Sequence, residues 1–211
     1  MNADLSKYWS KVRKSTKGWL HPEDEEVLSK QPHSFNLDFP PPAFVGNVTT
    51  APVIILLANG GYNPTLTPLE FVAPDSIAKF LARLSDPQEA NWTEVPPYYQ
   101  DVNYAELVFS GRAALVNACA YRSRRISEEP ENRRVLDRLP SVHFNRAWLT
   151  EEILPQVKAG TRFIVAKRHR LWALPVTAKG SKGVLFDRAP QNPHMSTDVL
   201  NRLQEMLTCD R

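Results

Sequence analysis

Two asparagines, one histidine and several clustered arginines are the residues whose types and spacing can do chemistry in this chain. Asn59 directly follows the apolar run Val53-Ile54-Ile55-Leu56-Leu57-Ala58 and opens the stretch Asn59-Gly60-Gly61-Tyr62-Asn63-Pro64. Adjacent glycines let a chain turn where side chains forbid it, and they let a ligand approach the backbone closely. The alternative is a tight turn in which the asparagine is incidental. Asn117 interrupts a second apolar run, Ala113 to Ala120. A buried asparagine needs partners for its carbonyl and its amide, so Asn117 either holds neighbouring loops or reads a ligand. Arg122, Arg124 and Arg125 follow that run, and Lys167-Arg168-His169-Arg170 follows the third, Arg162 to Ala166. His194 stands in Asn192-Pro193-His194-Met195-Ser196, beyond a fourth short run, Gly183 to Phe186. A site of asparagine, backbone amides, one histidine and arginines can position water and stabilise developing charge, but it carries no strong nucleophile.

Other chemistries lack their residues. There is no Walker-type phosphate loop and no dinucleotide fingerprint, and no Gly-x-Ser-x-Gly elbow. The five histidines show no paired metal-ligand spacing. Cys119 and Cys209 show none either, and Cys119 falls inside an apolar run, where a thiol is inert packing. No metal and no cofactor is implied.

The elements that must position these residues follow from periodicity. The run at 53–58 is apolar on every position, the pattern of a strand buried on both faces within a parallel sheet. The runs at 113–120, 162–166 and 183–186 read as three more strands. Pro74-Asp75-Ser76-Ile77 starts a helix with Ile77, Phe80, Leu81 and Leu84 on one side, Thr150 caps another that ends at Gly160, and Ser196 or Thr197 caps the last, through Leu207. Strands alternating with helices predict a three-layer α/β/α sandwich around a short, mainly parallel four-stranded sheet. The polar features after strands one, two and four then share one sheet edge, where open α/β sheets bind ligands.

Residues 1–38 are expected as an N-terminal helical appendage and 39–211 as the α/β/α domain. Leu5, Tyr8, Trp9 and Val12 have helical spacing within 5–20, and Lys7, Lys11, Arg13, Lys14 and Lys17 give that segment a basic face, either solvated or facing phosphate. The acidic Glu23 to Glu26 starts a second helix. From Gln31 to Asn47 the proline-punctuated chain should run extended over the surface. Pro87 to Gln100 reads as a loop whose Trp92, Pro96, Pro97, Tyr98 and Tyr99 either stack on bases or pin the loop to the body. The 18 prolines against 8 glycines favour stiff connections. A net charge of +3 does not by itself establish a nucleic-acid partner. No stretch is long and apolar enough for a membrane span or a signal peptide, which leads to the expectation of a soluble, cytoplasmic protein without membrane contact.

The order of these motifs resembles the uracil-DNA glycosylase superfamily over about residues 39–207. Leu57-Ala58-Asn59-Gly60-Gly61-Tyr62 is similar to the catalytic loop of the mismatch-specific branch, Gly-x-Asn-Pro-Gly, with Asn59 on the catalytic asparagine, Gly61 on the following glycine and Gly60 in place of the proline. Phe39-Pro40-Pro41-Pro42-Ala43-Phe44-Val45-Gly46-Asn47 is similar to the extended lead-in of uncharacterised members, and Leu115-Val116-Asn117-Ala118 to the strand whose asparagine bonds a flipped uracil. Asn192 to Ser196 is similar to the family's third motif with one residue deleted; Met195 falls on the residue that wedges into the base stack, and His194 near the leaving base.

The resemblance implies a DNA glycosylase-like protein that hydrolyses the N-glycosidic bond of a flipped, deaminated or damaged base. Asn59 and His194 would be catalytic. Gly61, Tyr62 and Asn117 would bind the base, Met195 would enter the duplex, and Arg122, Arg124, Arg125, Arg168 and Arg170 would contact phosphates of the DNA partner. Two other readings stay open: an inactive DNA-binding or interaction module on the same fold, and an unrelated small-molecule enzyme using the same sheet edge.

Overall fold

The computed structural model describes residues 3–88, 90, 92, 97–174, 176–178, 180–187 and 193–209. Pro96 and Asn192 lie outside the described residues, as do the side chains of Pro97, Tyr98 and Cys209.

All four expected strands form: β4 Val53–Gly61, β5 Ala113–Ser123, β6 Phe163–Ala166 and β7 Val184–Phe186. They are mutually parallel in the order β5-β4-β6-β7. A fifth strand, β3 Phe44–Val45, adds antiparallel to the outer side of β5. The sheet therefore has five strands where the sequence predicts four, and β4 lies at its centre. Alternation along the buried strands splits the core. Ile54, Leu56, Ala114, Val116 and Ile164 face one layer, built by α1 Leu5–Trp9, α4 Ser76–Ser85 and the long helical stretch 140–158. Val53, Ile55, Ala113, Leu115 and Val165 face the other, built by α6 Ala105–Phe109 and α10 Thr197–Cys209. This is a three-layer α/β/α sandwich.

Three expectations need correction. The helix expected within 5–20 ends at Trp9, and Arg13–Ser15 (β1) and Gly18–Leu20 (β2) form an antiparallel hairpin instead. Gly18 has φ +117, a left-handed backbone that favours glycine, and a Cβ there would stand 2.3 Å from the Leu37 carbonyl oxygen. Leu5, Tyr8, Trp9, Val12 and Trp19 are buried in the same core as the sheet. The lead-in does not run over the surface: Pro40 through Gly46 are buried against β5. Thr150 caps nothing. Helix α8 Pro140–Trp148 continues through a π-helical turn, Leu149–Ile153, into α9 Leu154–Lys158, and the Thr150 hydroxyl donates to the Arg146 carbonyl. No helix among the described residues is long and apolar enough to cross a membrane.

Candidate functional site at the carboxyl ends of the strands

Strand β4 does not stop at Asn59 but continues through Gly61, pairing with β5 across a register shift between Asn59 and Gly60. Gly60 sits where β5 and the lead-in crowd it: a Cβ would lie 2.3 Å from the Ala120 carbonyl oxygen and 2.7 Å from the Pro42 ring. Glycine is needed there for close approach of two backbones.

The bulge aims the Asn59 side chain at the end of β5. Its Nδ2 donates to the Ser123 carbonyl at 3.1 Å, to Ser123 Oγ at 2.9 Å and to the Gly60 carbonyl at 3.4 Å. Two of these partners are carbonyls that can only accept, so the amide nitrogen must face them. The Asn59 carbonyl oxygen is thereby turned the other way, and among the described residues it receives no hydrogen bond.

Asn59 lines a cleft of about 330 Å³ with Leu57 and Ala58 of β4, Arg124 to Glu128 beyond β5, and Lys167 and Arg168 beyond β6. Tyr99, Val102, Tyr104 and Pro193 complete the lining. This volume is at the small end of ligand pockets. Arg124 and Arg125 are exposed, and Arg125 Nη1 lies 3.0 Å from Glu128 Oε1.

Lys167 ties one wall together. Its buried Nζ stands 3.1 Å from Asp187 Oδ2 and donates to the carbonyls of Pro193 at 3.2 Å and His194 at 2.6 Å. Two hydrogen bonds and one ion pair thus fix the position of Nζ. Burial lowers its pKa, and the Asp187 carboxylate opposes that shift. Tyr104 Oη donates to the Pro193 carbonyl at 3.2 Å, and Asn103 clamps Met195 by accepting from its N–H and donating to its carbonyl, both at 2.8 Å.

The structure gathers Asn59, Arg124, Arg125 and Arg168 around the cleft and leaves the other expected site residues out of its lining. Asn117 is 1% exposed, with Nδ2 donating to the Pro42 carbonyl at 2.7 Å, so it holds the lead-in and is closed to a base. Arg122 is 3% exposed and cannot reach a phosphate: it bonds the Pro40 and Gly61 carbonyls and pairs with Glu70 at 2.7 Å. Met195 is 3% exposed in the core with Val199 and Leu203, so it is no wedge. Gly61 and Tyr62 are half-buried, with Gly61 accepting from Arg122 and the Tyr62 N–H donating to the Ser123 carbonyl. His194 is exposed beside the lining residue Pro193, and Arg170 is exposed outside the lining.

Sequence reasoning assigned no role to Ser123, Lys167, Tyr104 and Asn103. The first two carry the signal that singled out Asn59, a polar residue at the carboxyl end of an apolar run. Tyr104 and Asn103 carry none, because their partners lie about ninety residues away in sequence. Comparison with protein-family models, curated proteins and solved structures gives no match.

Proposed function

We propose that the chain binds one nucleotide unit of DNA in this cleft and hydrolyses its N-glycosidic bond. The observation that carries the reading is the fixed amide of Asn59, whose free carbonyl can accept a hydrogen bond from a water. That water's oxygen attacks the sugar carbon while the glycosidic electron pair leaves on the base. The departing base carries negative charge, and the cationic lining from Arg124 and Arg168 favours it. Asn59 orients and does not deprotonate; the attacking water's proton passes to solvent or to the leaving base. The arginines supply the salt-sensitive part of binding. A cytoplasmic setting goes with this reading and with the free, buried Cys119.

One observation favours an inactive DNA-binding module. Among the described residues the only carboxylate in the lining, Glu128, is exposed and paired with Arg125, so these residues offer the cleft no general base. Base release from uracil-, hypoxanthine- and mismatch-containing DNA separates the two. Hydrolysis predicts release by the native chain and a loss of about 100-fold or more in Asn59→Ala, with DNA affinity held within about threefold. Ser123→Ala, which removes one of the three acceptors that hold the amide and leaves the two carbonyls, should fall between them. Salt-dependent binding without release would leave the module, and no DNA binding at low salt would remove both.

A further inference from the structure

The β1–β2 hairpin belongs to the same surface as the cleft. Residues 36–45 run antiparallel beside β5, with Asn36 opposite Arg122 and Phe44 opposite Val116, which puts Asn36 and Leu37 at the carboxyl end of β5. The hairpin docks there: the Trp19 N–H donates to the Leu37 carbonyl at 2.7 Å, and only glycine at 18 permits that approach. Leu20 of the hairpin and Leu37 pack in one cluster with Ala58 and Ile126, and the latter two line the cleft. The hairpin and the cleft wall thus share one apolar cluster.

The charges on this hairpin are unevenly matched. Arg13 pairs with Glu25 at 3.2 Å, which fixes the hairpin to α2 Glu25–Lys30, and Lys11 lies 3.7 Å from Glu23. Asp38 accepts from Asn36 Nδ2. Lys14 and Lys17 are exposed and have no ion-pair partner among the described residues. Lys17 sits in the two-residue turn, where its N–H donates to Ser15 Oγ. Two cations on a docked hairpin beside an arginine-lined cleft match a polymer with one phosphate per residue.

We infer that Lys14 and Lys17 form an outer phosphate-binding ridge that holds the nucleic-acid strand as it leaves the cleft. The inference rests on the nucleotide reading of the cleft and extends its footprint from one unit to several.

The test is binding of a fluorescent 20-nucleotide strand by Lys14→Ser/Lys17→Ser across a salt series. Lys158→Ser/Lys182→Ser, which removes two exposed lysines beside the amino ends of β6 and β7, serves as the charge-matched control. Removing one lysine that neutralises a phosphate should reduce the slope of log K against log salt by about 0.7. The hairpin variant should therefore lose more than one unit of slope and about tenfold in affinity near 0.1 M salt, while the control stays near native. Binding of deoxyuridine monophosphate, which occupies only the cleft, should be unchanged by the hairpin substitutions. A hairpin variant indistinguishable from its control, with Arg124→Ser still weakening the strand, overturns the ridge and leaves the cleft reading standing. Failure of the native chain to bind either probe overturns the cleft reading itself.

Discussion

At the scale of single residues, Gly60 and Asn59 depend on each other. The glycine allows Ala120 and Pro42 to press on β4, and the resulting bulge sets the direction from which the Asn59 amide reaches Ser123. A flexible glycine here would suggest a loosely held asparagine, but Gly60 is a packed strand residue. Gly60→Ala inserts a methyl group where backbone oxygen and a proline ring already sit. It should destabilise the fold by about 1–3 kcal/mol, read as a lowered urea midpoint with an unchanged slope. A native midpoint would show that Pro42 yields and that the close approach is not what requires glycine.

At the scale of elements, the buried Arg122–Glu70 pair joins three segments. Arg122 extends from β5 to the Pro40 and Gly61 carbonyls, lies over the Phe71 ring and meets Glu70 just beyond α3 Leu66–Leu69. Burial raises the Glu70 pKa, and the guanidinium opposes that shift. Arg122→Met leaves a buried carboxylate without its partner and should cost about 3–5 kcal/mol, while Arg122→Met/Glu70→Leu should recover much of the loss. Equal instability of the two in a double-mutant cycle would assign the cost to packing. The same pair explains what the sequence hides. The four parallel strands were legible because each is apolar on both faces, a pattern written within a few consecutive residues. Arg122 looked available to a phosphate because its partner is 52 residues away, and Asn117 looked like a base reader because Pro42 is 75 away. The proline lead-in has the composition of a surface loop, and its burial is imposed by these distant partners. Asn59 was legible from its place after a strand. The orientation of its amide was not, since Ser123 lies 64 residues on.

At the scale of the whole molecule, the N-terminal segment that leads into the hairpin is latched to the sandwich by groups that include a buried histidine. Trp9 Nε1 donates to Asn145 Oδ1 of α8, and Tyr8 stacks between Phe144 and the His21 ring. His21 is fully buried and accepts the Glu23 N–H at Nδ1, so its proton is on Nε2, where it donates to the Tyr8 carbonyl. Burial holds its pKa below the ordinary 6.5, against the opposing pull of Asp24 and Glu23. A histidine with a depressed folded pKa contributes stability that is present above about 6.5 and is lost as pH falls toward the folded value, because only the unfolded chain takes up the proton. Asp24, raised by burial, acts in the opposite sense: its contribution is present in acid and fades as pH rises through its folded pKa. His21→Asn retains an acceptor for the Glu23 N–H and removes the titrating ring, while Asp24 stays common to both chains. Because the His21 charge also acts on Asp24, the difference between their urea-midpoint profiles from pH 7.5 to 5 reports the His21 ring together with its coupling to Asp24. The native chain should lose stability faster on acidification, by up to about one proton's worth of slope. Parallel profiles would mean that the ring is protonated in the folded state and that the latch owes nothing to its neutrality.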